Sequence, residues 1–333
     1  MRTNHPGPKR RRWPVVLLAA VAAISTSGLV LLLATDSPGV GHFRSSEARQ
    51  AYEDAYAEAL DHLPEPTETH DVETSFGTVR AYAWVAQGQA DAAPVVLLPG
   101  RASATPMWAD NLPHYLEHRT VFAFDTIGDT GMSEQTVPMR DLGDSAQWVD
   151  EAMAGLNIER AHLVGHSQGG GLAAAVAVRH PARLASLTLI EPILTLGTLP
   201  LSVVLASIPV SLPFLPDSWR EAGLNAIGGV EDEEVDPDDP LARMINLGAE
   251  SYVSSGLPNP SQLTDAELKG LPMPVYVAIA SDSSLAGGET AAEKAKLIPG
   301  AQVKTWPDTT HSLPMQVARP LDAELEKFWS AHP

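Results

Sequence analysis

An α/β fold is predicted: a mostly parallel central sheet flanked by helices, with a helical cap inserted into it. Three observations predict it. Short apolar runs at residues 94–98 and 121–124 read as strands buried on both faces, and those at 184–190 and 274–280 read as further strands. Helical patterns alternate with them, which is the rhythm of a parallel sheet covered on both sides. That rhythm breaks only once, between residues 193 and 262, where a cap is expected.

The first 35 residues are of a different character. Lys9-Arg10-Arg11-Arg12 precedes residues 15–34, twenty residues without a charge. As a helix they rise about 30 Å, the thickness of a bilayer core. Basic residues before them and Asp36 after them orient the N-terminus to the cytoplasm. Residues 1–35 are therefore expected to be a basic cytoplasmic tail and a signal-anchor (transmembrane) helix. The remainder is then extracytoplasmic, on a single-pass protein of the cell membrane. Secretion after signal cleavage is the alternative, kept open by the Ser25-Thr26-Ser27-Gly28 interruption.

Residues 36–66 read as a spacer. It carries a helix at 45–60, with Ser46 as candidate cap and Tyr52, Tyr56, Ala59 and Leu60 as an apolar stripe. Pro64 and Pro66 stop it, leaving it between membrane and domain or packed on the domain's side. The domain proper runs over 67–333. It opens with a hairpin at 72–86, turning at Phe76-Gly77. The strands at 94–98 and 121–125 follow, then a helix at 146–156 with Trp148, Val149, Ala152 and Met153 inward. Next come a strand at 161–164, a helix running to His180, and the strand at 184–190.

The cap begins with an apolar run that Pro200, Pro209, Pro213 and Pro216 break too often for a membrane span. Its acidic stretch, 231–239, lacks the ligand spacing and glycine of a calcium loop and reads as solvated. After the cap come a strand at 274–280, a helix at 289–297, a strand at 302–306 and a terminal helix at 319–329.

Composition removes several functions. The chain has no cysteine, which excludes disulfides, thiol catalysis and cysteine-based metal sites. Beyond residue 35 it carries 41 acids against 17 Lys and Arg, a formal −24. Such a surface repels nucleic acid, which is not expected as a partner.

The candidate chemistry centres on Gly165-His166-Ser167-Gln168-Gly169. This is a G-x-S-x-G pentapeptide between an apolar strand and a small-residue helix, the context of a nucleophile elbow. A serine hydroxyl needs a base in hydrogen-bond reach and a group orienting that base. His311, in a loop after the last strand, is the candidate base. Two acids compete for the third position. Asp282 follows the 274–280 strand and is favoured; Glu191 follows the 184–190 strand and is the alternative. The backbone N–H groups of Gln168 and of Arg101, after Pro99-Gly100, are candidate donors to a tetrahedral oxyanion.

Five stretches together carry a family resemblance: LLPGRASATPMW, FAFDTIGDTGMS, AHLVGHSQGG, LTLIEP and the terminal DTTHSLPMQVARPLDAELEKFW. The chain resembles the α/β-hydrolase fold family over residues 72–330, in particular the carboxylesterase-like serine hydrolases of the bacterial naproxen-esterase type. Pro99 stands where that family usually has histidine, and Ala280-Ser281-Asp282-Ser283 departs from its usual G-x-x-D/E. The resemblance implies cleavage of a small-molecule carboxylic ester through an acyl-enzyme on Ser167, with no cofactor or metal. Other serine α/β-hydrolase chemistry is the alternative: perhydrolase, thioesterase, lactonase or C–C hydrolase. A non-catalytic binding module is a further one, disfavoured by an intact Ser, His and acid set.

Overall fold

The computed structural model describes residues 39–86, 92–199, 239–254 and 256–333, with single positions 205, 208, 216, 218, 219, 222 and 223 between them. The apolar run at 15–34 and most of the acidic stretch at 231–238 lie outside the described residues. Among the described residues, no helix is long and apolar enough to cross a membrane.

The described chain opens with β1 (His42–Phe43) and α1 (Ser46–Leu60), then a hairpin of β2 (Glu68–Thr74) and β3 (Gly77–Trp84). Next come β4 (Val95–Leu98), a 3-10 turn (Thr105–Trp108), α2 (Leu112–Tyr115), β5 (Val121–Phe124) and β6 (Glu134–Gln135). The middle holds α3 (Leu142–Gly155), β7 (Ala161–His166), α4 (Gln168–Arg179) and β8 (Leu184–Ile190). After the cap span's first part come α5 (Pro240–Ser251), β9 (Tyr252–Val253) and α6 (Asp265–Gly270). The chain closes with β10 (Val275–Ala280), α7 (Gly288–Ala295), β11 (Gln302–Trp306), α8 (Leu313–Gln316) and α9 (Ala318–Ser330).

The main sheet has the order β11-β10-β8-β7-β4-β5-β3-β2, with β6 on β3. Along this order the strands from β11 to β5 pair in parallel, while β3 runs antiparallel to β2, β5 and β6. The order reverses at β4, which pairs with β5 on one side and β7 on the other. A crevice opens where an α/β sheet reverses, outside the carboxyl ends of its strands. Here those ends carry Pro99-Gly100 and Ser167.

Period-2 alternation explains why whole strands are apolar. Val96, Leu98, Leu163 and Leu187 enter the core under α3 and α4, with Trp148 and Val149. Val95, Leu97, Val164 and Ile190 enter the opposite core, with Tyr52, Tyr56 and Trp329. The helix read at 146–156 starts earlier, at Leu142, because Asp141 caps it through the N–H groups of Gly143 and Asp144. Ser45, not Ser46, caps α1, accepting from Ala48 N–H.

The segment read as a spacer is, from Gly39, part of one compact unit that runs to Pro333. Three contacts hold it. β1 pairs with β9. The Gly41 N–H donates to Gln135 Oε1 at 2.8 Å. The buried Tyr56 hydroxyl donates to Asp125 Oδ2 at 2.9 Å and lies 3.1 Å from the Tyr82 hydroxyl. The apolar stripe of α1 was legible; the polar partner of its tyrosine was not.

The terminal helix is fixed to the start of the sheet by a buried arginine. Arg119 donates to both Glu326 carboxylate oxygens (2.8 and 3.0 Å), to Ala93 O (3.2 Å) and to His162 Nε2 (3.1 Å). His162 stays neutral, pushed down to about 3 by burial and by Arg119. On the same helix the buried Asp322 accepts from Asn111 Nδ2 at 3.0 Å.

Burial pushes Asp322 up to about 8 from its ordinary 3.8. The carboxyl is therefore neutral in the folded chain over a range where it ionises in the unfolded one. Its stabilisation is full below about pH 4 and is lost as pH rises towards 8, by up to about 1.4 kcal/mol per unit. Asp322→Asn keeps an acceptor for Asn111 and is expected to remove this loss. Urea midpoints compared at several values from pH 4 to 8 should fall less in the variant than in the wild type. Parallel pH dependences would mean that Asp322 is charged in the fold.

Candidate active site

β7 ends at His166 and α4 begins at Gln168, so Ser167 alone makes the turn, at φ 55 and ψ −117. A non-glycine residue in such a region costs roughly 1–3 kcal/mol and persists only where its surroundings over-determine it. Here they do. The Ser167 N–H donates to Ile190 O at 3.0 Å, and its carbonyl receives the N–H groups of Gly170 (3.0 Å), Gly171 (3.2 Å) and Ile193 (3.3 Å). Both glycines of the pentapeptide are required by space. A Cβ on Gly165 would stand 2.2 Å from Gly169 O, and one on Gly169 would stand 2.3 Å from Leu98 O.

His311 lies between β11 and α8, brought over the sheet edge to the turn. Its Nε2 is 2.9 Å from Ser167 Oγ and its Nδ1 is 3.2 Å from Glu191 Oε2. A carboxylate only accepts, so Nδ1 carries the proton and Nε2 presents its lone pair to the serine hydroxyl. This is the arrangement a general base needs.

Glu191 is wholly buried at the end of β8, at φ 46. Its Oε1 accepts from Ala280 N–H and Ser284 Oγ, both at 2.7 Å; its Oε2 accepts from the N–H groups of Leu285 (2.9 Å) and Ala286 (3.3 Å). Four donors and an imidazole thus surround one carboxylate. That satisfaction is what makes a buried acid tolerable.

The preference for Asp282 is corrected here. Asp282 is exposed; its N–H donates to Thr309 O at 2.9 Å and its carboxylate faces Ser281 Oγ at 3.2 Å. β8 and β10 are adjacent, so either strand end could reach His311. The end of β10 instead contributes donors, Ala280, Ser284, Leu285 and Ala286, to the acid at the end of β8. The usable signal was the immediate neighbours: Glu191 directly follows Leu189-Ile190, whereas Asp282 sits among serines.

His166 is adjacent in sequence to the serine. Its side chain nevertheless reaches the site from below. Nε2–H donates to the His311 carbonyl at 2.9 Å, and the two rings are 4.8 Å apart. Burial and the neighbouring His311 push His166 down to about 3, so it is a neutral anchor for the His311 loop.

The two candidate oxyanion donors come from different segments, the start of α4 and the loop after β4. Gln168 heads α4, where the first N–H groups have no intrahelical acceptor. Its side-chain amide donates to Pro258 O at 3.0 Å, tying the later part of the cap span to the elbow. Arg101 follows Gly100, where a Cβ would stand 3.3 Å from Ser167 Cβ. Two further buried carboxylates hold this loop. Asp125 Oδ1 accepts from the Thr105 N–H (2.8 Å) and hydroxyl (2.7 Å), and Asp129 Oδ2 accepts from Ala102 N–H (2.9 Å). A cavity of about 370 Å³ beside α4 is lined by Arg140, Asp141, Arg179, Pro258 and Glu267, among others, and by none of the Ser167, His311 and Glu191 side chains.

Comparison with known proteins agrees with this geometry. Residues 93–204 match a family model described as alpha/beta hydrolase fold. The carboxylesterase YbfK of Bacillus subtilis (strain 168) is 26% identical over 289 residues, 82% of this chain and 92% of that protein. The crystal structure of carboxylesterase CesB (YbfK) from the same species superposes with a TM-score of 0.76 at 24% identity, over 85% of this chain and 98% of that one. That of naproxen esterase (carboxylesterase NP), also from Bacillus subtilis, gives 0.77 at 21% identity, over 86% and 99%. With its sheet order, its strained serine between β7 and α4 and its His311 after the last strand, the chain has an α/β-hydrolase fold and is similar over most of its length to carboxylesterases of Bacillus subtilis.

Proposed function

We propose that this chain is a serine hydrolase that cleaves carboxylic esters through an acyl-enzyme. The observation that carries this reading is the unbroken line from Ser167 Oγ to His311 Nε2 (2.9 Å) and from His311 Nδ1 to Glu191 (3.2 Å). Similarity to named carboxylesterases supports the ester as substrate.

The steps follow from the atoms. Ser167 Oγ bonds to the ester carbonyl carbon as its proton passes to His311 Nε2. The tetrahedral oxyanion takes the backbone N–H groups of Gln168 and Arg101 as donors. On collapse the bond to the alkoxy oxygen breaks, and His311 gives its proton to the departing alcohol. A water then adds to the acyl carbon while His311 takes a proton from it. Return of that proton to Ser167 frees the acid. Glu191 holds the imidazole in its tautomer and stabilises it when it carries charge.

The cap reading, residues 193–262, extends to the substrate. Its apolar first half and the exposed Leu205, Ile208 and Trp219 favour an apolar acyl or alcohol group. The basic cluster and the uncharged run at 15–34 support attachment of this chain to the cell membrane with residues 39–333 outside.

Hydrolysis of p-nitrophenyl acetate and butyrate tests the chemistry. Ser167→Ala should lose activity by about 10⁶-fold, and Glu191→Gln by about 10⁴-fold in kcat. Asp282→Asn should stay within about twofold, as expected of an exposed side chain away from the imidazole. A dominant loss in Asp282→Asn would return the acid to the β10 end. A folded wild type that neither turns over these esters nor reacts with an organophosphonate is no serine esterase. For the attachment, full-length chain expressed in bacteria should stay with the membrane pellet through alkaline carbonate washing. Release of a product lacking its first 35 or so residues would instead mean cleavage and secretion.

A further inference from the structure

The Arg101 N–H is one backbone donor among several in a loop of irregular shape, and something must select it. The loop from Pro99 to Thr105 leaves the end of β4 with two non-glycine residues at positive φ, Ala102 at 58 and Ala104 at 47. Such backbone is held in place by its contacts rather than by its own preference.

Its N–H groups can be followed one at a time. Pro99 has none. The Gly100 N–H donates to Met107 Sδ at 3.2 Å. The Ala102 N–H donates to Asp129 Oδ2 at 2.9 Å, and the Ser103 N–H to Gly100 O at 3.3 Å. The Thr105 N–H donates to Asp125 Oδ1. Among the described residues no acceptor is found for the N–H groups of Ala104 and Arg101, of which that of Arg101 directly follows Gly100. The peptide that carries it borders the nucleophile, since a Cβ on Gly100 would lie 3.3 Å from Ser167 Cβ and 3.0 Å from His166 Nδ1.

We infer that Met107 and Asp129 are positioning residues for the oxyanion site: they take the N–H groups on either side of Arg101 and so leave the N–H between them to the reacting oxygen. Both side chains are buried, at 1% and 3% exposure, and each holds the loop through a backbone N–H, while Asp129 also lies in the field of the Arg101 guanidinium. A thioether is a weak acceptor, which suits its place: it directs the Gly100 peptide without competing for a stronger donor. Asp129 uses its second oxygen on the Thr130 N–H at 2.9 Å, so its carboxylate is clamped between its own turn and the loop. The loop's geometry is then held by side chains from the 3-10 turn and from the segment after β5, in addition to its packing against the elbow.

This inference rests on the serine-esterase reading, and the test separates the two. Met107→Leu preserves volume and removes the acceptor. Asp129→Asn preserves shape and leaves one oxygen where two are needed. With p-nitrophenyl butyrate each folded variant is expected to lose about 10- to 100-fold in kcat, by comparison with loss of a whole oxyanion donor, with KM within about twofold. Inhibition by a trifluoromethyl ketone, whose adduct with Ser167 carries the oxyanion, should weaken by a comparable factor. The rate of Ser167→Ala should not change further when either substitution is added, if the missing term is stabilisation of an oxyanion formed on the serine. Wild-type-like kcat and ketone affinity in a folded Met107→Leu, or a loss confined to KM, overturns the inference while leaving the esterase intact. Should Asp129→Asn fail to fold, Met107→Leu alone decides. An inactive, phosphonate-resistant wild type defeats the functional reading, and with it the inference.

Discussion

The approach of α4 to the end of β4 is the constraint on which the site depends. Gly169 packs so close to Leu98 O and Pro99 O that no side chain fits, and Gly165 meets Gly169 in the same way. This contact forces the chain to reverse within a single residue and leaves Ser167 at positive φ. It also brings the β4 loop beside the serine, so that one close packing sets both the nucleophile and the neighbouring backbone donors. The small residues of α4 follow from the same requirement, since larger ones would push the helix off the sheet.

Buried carboxylates do the remaining positioning, and each is satisfied differently. Glu191 gathers donors from the β10 end and gives its remaining capacity to His311. Asp125 and Asp129 gather backbone N–H groups from the β4 loop and from their own turn. Burial raises both of these aspartates from the ordinary range, a cost met by the donors around them. The residues that perform chemistry and the residues that hold backbone are thus built on the same physical device, a dry acid filled with hydrogen bonds. What separates them is whether a titratable base is among the partners.

Much of this was legible in the sequence, for identifiable reasons. Fully apolar strands, the glycines at 165 and 169 and the histidine after the last strand each answer to a local rule, and the fold followed from them. The choice between Asp282 and Glu191 did not, because adjacent parallel strands present their ends to the same place and nothing local says which end faces inward. His166 was illegible for a related reason: its partner is a carbonyl 145 residues away. Met107 likewise reads as ordinary core until its sulfur is seen under Gly100. Long-range pairings between a side chain and backbone leave no periodic trace.

The contact from Tyr56 to Asp125 bears on where this protein can be cut or fused. Asp125 is the residue whose other oxygen holds Thr105, so the first helix is hydrogen-bonded to the loop beside the nucleophile. Removing everything before the β2–β3 hairpin, at the apparent Pro64-Glu65-Pro66 boundary, strips a tyrosine donor from a buried acid and bares an aromatic face. A tag, carrier or immobilisation handle therefore belongs ahead of Gly39, where the compact unit that includes α1 begins, rather than at the prolines that look like a hinge.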